Sequence, residues 1–131
     1  MVFNHIGYIV NDLKKTERAF KNLSYSESTY FEDANQEIEI MLISGYHLPL
    51  IELIKPTKKN HPLERYNLLG MGANPYHIAF EVKNISLEMK ELKKNGFVQA
   101  MPISKAVAFN NVPFVFLFHH EIGLVELLEI K

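Results

Sequence analysis

The sequence predicts an α+β fold in which one strand–helix–strands unit occurs twice. Three observations carry that expectation. The segment His5-Ile6-Gly7-Tyr8-Ile9-Val10-Asn11-Asp12-Leu13 recurs as His77-Ile78-Ala79-Phe80-Glu81-Val82-Lys83-Asn84-Ile85, 72 residues later. The match runs on into amphipathic stretches, where Leu13, Phe20 and Tyr25 align with Ile85, Leu92 and Phe97. Near the end of each copy, Leu50-Ile51-Glu52-Leu53-Ile54 resembles Leu124-Val125-Glu126-Leu127-Leu128 at an offset of 74, and a loop absorbs the two extra residues. A fixed internal period of this kind marks a duplicated supersecondary unit.

The elements follow in order. A strand-like run opens the chain at Val2–Val10. A helix is expected over about 12–23, with Asn11 or Asp12 as N-cap and Leu13, Thr16, Phe20 and Leu23 near one face. Strands are expected at about 37–44 and 48–55, with a weaker signal near 27–32. The second copy predicts a strand at 75–82 and a helix at about 85–95, capped by Asn84 or Ser86 and ended by Gly96 in the left-handed conformation. Strands at about 97–103, 113–119 and 124–130 complete it, with His119–Gly123 as a hairpin turn. One domain is expected over 1–131, made of repeats at about 2–55 and 75–131 joined by a connector at 56–74. In the connector, Leu63, Tyr66, Leu68 and Leu69 suggest a short helix covering apolar surface.

Composition narrows the function. With 131 residues, 47% of them apolar and 22% charged, the chain is long enough for a core without staples and unlike a disordered tail or coiled coil. A net charge of −1 leaves no basic footprint for nucleic acid. No apolar run approaches the roughly 20 residues of a membrane span. The strand-like N-terminus has no signal-peptide pattern, so a cytoplasmic location is expected. Cysteine is absent, which excludes disulfides, thiolate nucleophiles and sulfur ligands. Any metal must therefore be held by His, Asp, Glu or main-chain oxygen.

Four polar residues stand where strands should be dry. His5, Glu52, His77 and Glu126 each lie inside an expected strand with apolar neighbours, and the His-to-Glu spacing is 47 in the first copy and 49 in the second. Alternation puts Leu50, Glu52 and Ile54 on one face, and Leu124, Glu126 and Leu128 on another. An unpaired carboxylate there costs several kcal/mol or loses its charge. No Lys or Arg occupies the matching strand positions, so one divalent ion with two imidazoles and two carboxylates is the expected compensation. His47, His61, His119 and His120 fall in loops or at strand ends and are expected to meet water.

With these residues the chain resembles the vicinal oxygen chelate superfamily. That superfamily contains glyoxalase I, methylmalonyl-CoA epimerase, extradiol dioxygenases, and fosfomycin and bleomycin resistance proteins. The resemblance runs from Phe3 to Ile130 and is carried by Asn4–Val10, Pro75–Val82 and Gly123–Glu129. It implies two βαβββ modules forming a curved mixed or antiparallel sheet around a metal cleft. It implies His5, Glu52, His77 and Glu126 as ligands of one Ni²⁺, Co²⁺, Zn²⁺ or Mn²⁺ ion, with Ni²⁺ or Co²⁺ favoured. It further implies Glu126 as the mobile base and Glu52 as its counterpart.

The activity implied first is a metal-dependent lyase or isomerase of the glyoxalase I type. Such an enzyme moves a proton at carbon next to a carbonyl of a thiol- or CoA-linked small molecule. Glu52 supports this, because methylmalonyl-CoA epimerases typically present Gln at that position. The alternatives are a methylmalonyl-CoA epimerase-like acyl epimerase and a metal-free antibiotic-binding module, which would lack the four ligands. The resemblance also implies a homodimer.

Overall fold

The computed structural model describes residues 1–68 and 70–131. Among them are nine strands: β1 (Val2–Val10), β2 (Glu27–Asp33), β3 (Ile38–Ser44), β4 (Leu50–Pro56), β5 (Ala73–Val82), β6 (Val98–Gln99), β7 (Ser104–Ala106), β8 (Val112–His119) and β9 (Gly123–Glu129). Two α-helices, α1 (Leu13–Lys21) and α2 (Ile85–Lys93), join them, with 3-10 turns at Pro62–Tyr66 and Val107–Phe109. This is the expected α+β pattern of two βαβββ modules, with one short strand more in the second. The weak signal near 27–32 is a full strand, β2. Two compact units result: His5–Tyr76, and Met1–Asn4 together with His77–Lys131.

In the unit His5–Tyr76 the strand order is β2-β3-β4-β1, with β1 parallel to β4 and the other pairs antiparallel. Strand alternation sends Ile51, Leu53, Met41 and Ile43 to the face covered by α1, where they bury with Val10, Leu13 and Tyr25. The Tyr8, Phe20 and Tyr25 rings pack edge to face with centroids 5.3 Å apart. Asp12 caps α1, accepting from the Lys15 N–H at 2.9 Å. The helix stops at Lys21, two residues before its expected end, so Leu23 is 62% exposed rather than on the buried face. Glu17 occupies that face instead, accepting a hydrogen bond from the Ser28 hydroxyl. A side chain at Gly45 would press its Cβ to 2.5 Å from the Ser24 carbonyl oxygen, so the chain needs glycine there.

In the other unit the order is β5-β9-β8-β6, with β7 also on β8 and with β5 parallel to β9. Helix α2, capped by Asn84 accepting from Leu87 N–H, covers Val115, Leu117, Val125 and Leu127. The opposite face carries Ala79, Phe114 and Leu128, with Met101, Phe109 and Phe116 against them. Two residues of β1 belong here as well: Asn4 donates to Glu81 at 2.9 Å, and the Phe3 and Phe80 rings meet edge to face. Gly96 follows α2 at φ +90°, as expected. Of the strand expected over 97–103 only Val98–Gln99, β6, is formed, and a second short strand, β7, begins beyond it at Ser104. Pro102 stands between them and has no N–H for the ladder.

The connector belongs to the unit His5–Tyr76 and is tied down at both ends. His61 is buried, not solvated as expected. Its Nε2 bonds the Gln36 carbonyl at 2.8 Å, and its Nδ1 accepts from Leu63 N–H at 3.0 Å, capping the 3-10 turn. At the other end Asn11, a cap candidate in sequence, clips the connector: its N–H donates to the Gly72 carbonyl at 2.8 Å and its side chain to the Met71 carbonyl. The short helix at Pro62–Tyr66 is as expected, but Leu68 is 79% exposed, and Leu69 lies outside the described residues. His119 is also not simply solvated, since its ring packs on Phe97 with centroids 4.6 Å apart. No helix among the described residues is long and apolar enough to cross a membrane.

Leu53→Ala and Leu127→Ala, both at sites without solvent exposure, should each lower the unfolding free energy by about 2–5 kcal/mol in chemical denaturation. Leu23→Ala, beyond the end of α1, should change it by no more than about 0.5 kcal/mol.

Candidate metal centre

Each unit builds a His–Glu pair in the same way. In the first, β1 and β4 run parallel with Gly7 beside Glu52 and His5 beside Leu50. Registered residues of parallel strands share a face, so His5, Gly7 and Ile9 lie with Leu50, Glu52 and Ile54, opposite the α1 side. The Nε2 of His5 is 3.3 Å from a Glu52 carboxylate oxygen. On the outer side of Glu52, β3 contributes Leu42.

The second unit repeats this register. Ala79 stands beside Glu126 and His77 beside Leu124 across the parallel pair β5 and β9. The Nε2 of His77 is 3.0 Å from a Glu126 carboxylate oxygen. On the outer side of Glu126, β8 contributes Phe116, whose ring meets the His77 ring edge to face with centroids 4.9 Å apart. In both units the residue two after the His is small and sits directly beside the Glu. Gly7 and Ala79 were not singled out as site residues in sequence, although the spacing His-x-Gly and His-x-Ala recurs at the repeat offset. Phe116 had no such signal, because only the β8–β9 register brings it to Glu126.

All four expected side chains are buried: His5 is 0% exposed, Glu52 5%, His77 4% and Glu126 4%. Each offers one ligand atom, and these atoms lie within 4.8 Å of one another. Atoms bound at about 2.0–2.2 Å around a common ion are at most about 4.4 Å apart, so the group needs only small side-chain adjustments to hold one. Two imidazole nitrogens and two carboxylate oxygens, with no sulfur, suit a borderline divalent ion, and the two anionic charges balance it. Burial strengthens the demand, since water is not there to solvate the carboxylates. The other histidines stay outside the group: His61 and His119 hold local structure, while His47 and His120 are exposed.

Comparisons with known proteins agree with this architecture. The chain is 24% identical to the human mitochondrial methylmalonyl-CoA epimerase over 129 residues, covering 95% of this chain and 71% of that protein. Among solved structures it is similar to a hypothetical protein from Bacillus halodurans C-125. The TM-score there is 0.80 at 23% identity, over 98% of this chain and 94% of the other. It is similar to the methylmalonyl-CoA epimerase of Mycobacterium tuberculosis, with a TM-score of 0.77 and 18% identity over 99% and 88% of the two chains. A variant of the Streptomyces coelicolor methylmalonyl-CoA epimerase, in complex with 2-nitronate-propionyl-CoA, gives a TM-score of 0.78 at 17% identity over 98% and 96%. A family model matches residues 4–116, a span that includes His5, Glu52 and His77 and stops ten residues short of Glu126. By that match the chain belongs to the glyoxalase/bleomycin resistance protein/dioxygenase superfamily.

Proposed function

We propose that this chain is an epimerase that inverts the α-carbon of a 2-methyl-branched acyl-CoA, with methylmalonyl-CoA as substrate. His5, Glu52, His77 and Glu126 would hold one divalent ion. The observation that carries the proposal is the buried group of two imidazoles and two carboxylates, built by one register repeated in both units. Likeness to methylmalonyl-CoA epimerases over nearly the whole chain supports this reading over the glyoxalase one.

A divalent ion, when bound, supplies charge stabilisation for the negative charge that builds up on the thioester oxygen. The chain's own part is proton transfer. Glu126 takes the proton from the α-carbon, and the C–H electron pair delocalises into the thioester carbonyl. Glu52, entering the step as the carboxylic acid, gives its own proton to the opposite face and becomes the carboxylate, while Glu126 keeps the proton it took. Exchange with water then resets both groups, so atoms and charge balance and only configuration changes. General acid–base catalysis of this kind contributes about 10² to 10⁴ in rate. Gly7 and Ala79 leave space beside each carboxylate for the movement between ligand and base. The apolar neighbours Leu42 and Phe116 keep bulk water from the carbanion.

One residue favours a second reading. Glu52, rather than Gln, matches the His, Glu, His, Glu set of glyoxalase I. There the same two carboxylates would move a proton between adjacent carbons of a hemithioacetal.

Deuterium uptake at C2 of methylmalonyl-CoA in D₂O, followed by mass spectrometry with Ni²⁺, Co²⁺, Zn²⁺ or Mn²⁺ added, tests the proposal. Metal-dependent exchange is expected with at least one ion. Turnover of methylglyoxal with a thiol, without such exchange, would instead establish the glyoxalase reading. Glu126→Gln should cut exchange by at least about 10²-fold while leaving the circular dichroism spectrum unchanged. Near-normal exchange in that variant would remove Glu126 from its role. Ala79→Leu, which places a larger side chain beside Glu126, should weaken Co²⁺ binding measured by calorimetry by about tenfold or more.

A further inference from the structure

A cavity of about 360 Å³ lies at the C-terminal ends of β1 and β4, against the connector and within the unit His5–Tyr76. Its apolar lining includes Ile9, Val10 and Pro56, and its polar lining includes Lys55, Glu64 and Asn67. The Asn67 amide donates through Nδ2 to the Asn11 side-chain oxygen at 3.0 Å. Its own Oδ1 is buried and has no hydrogen-bond partner among the described residues. A buried acceptor without a donor is a cost that native proteins rarely carry, and a ligand N–H would remove it.

We propose that this cavity binds the pantetheine arm of the acyl-CoA, an inference that rests on the acyl-CoA reading above. Asn67 Oδ1 accepts from an arm amide N–H, and Lys55 donates to an arm carbonyl. The charge pattern selects the arm over the nucleotide end. One lysine balanced by Glu64 gives almost no net positive field, whereas a diphosphate calls for several cationic donors. The apolar wall fits the methylenes between the amides.

Position supports the same choice. By strand alternation Ile9 and Pro56 lie on the Glu52 face, while Lys55 and Val10 stand on the opposite face and line the cavity at the ends of β4 and β1. Ile9 is two residues beyond Gly7, about 7 Å, and Pro56 is four beyond Glu52, about 13 Å. An arm leaving a thioester near Glu52 would carry its two amides, spaced by a little more than one extended residue, into this range.

Two measurements test the proposal. In ¹⁵N-resolved NMR of the whole protein, D-pantetheine should shift the Asn67 side-chain NH₂ and the Lys55 backbone amide; no shift at either would overturn it. In the exchange assay, the wild type should prefer methylmalonyl-pantetheine over methylmalonyl-N-acetylcysteamine, which lacks the second amide, by about tenfold in kcat/KM. Asn67→Ala and Lys55→Met should each bring that ratio towards one. The ratio is taken within one variant, so a general loss of folded protein cancels. An unchanged ratio in both variants would overturn the cavity assignment while leaving the epimerase reading intact. Pantetheine shifts at Asn67 without exchange on any thioester would uphold the cavity and remove the epimerase.

Discussion

Two carboxylates buried on apolar strands set the terms for this molecule. Glu52 and Glu126 each lie between apolar neighbours on their own strand, and each has lost nearly all contact with solvent. Such groups are tolerated only with a positive partner or strong hydrogen bonds, because the interior does not screen them. The fold supplies an imidazole to each at about hydrogen-bonding distance. The four donors together could hold a divalent ion, whose charge would offset the two carboxylates.

The rest of the architecture follows from placing those pairs. A parallel strand pair aligns registered residues on one face, so His5 and Glu52, or His77 and Glu126, need only a two-residue offset to meet. A helix on the other face of each sheet buries Ile51 and Leu53, or Val125 and Leu127. That division lets one strand carry a packing face and a chemical face without conflict. Gly7 and Ala79, the small residues of each copy, stand in register beside Glu52 and Glu126.

The two pairs match in register but not in surroundings. Glu126 is flanked by Phe116 and faces an aromatic cluster, whereas Glu52 is flanked by Leu42 and aliphatic side chains. The Phe116 ring packed edge to face on His77 restricts that imidazole. Duplication thus produces two carboxylates of like geometry and unlike environment.

Much of this was legible before any coordinates. The period of 72 residues, the alternation around each Glu and the caps at Asp12 and Asn84 all rest on local chemistry, which sequence carries directly. What escaped depends on contacts between distant residues. His61 reads as a loop residue until the β2–β3 turn brings the Gln36 carbonyl to its ring. Asn11 reads as a helix cap until the connector folds back onto it. Leu23 reads as part of a helix face until the backbone stops two residues short. By itself, then, the sequence determined the paired modules and the identity of the four polar residues, because periodicity and side-chain chemistry are properties of the chain. Only the tertiary structure decided which small and aromatic residues stand beside each carboxylate, because strand register is set by packing over the whole sheet.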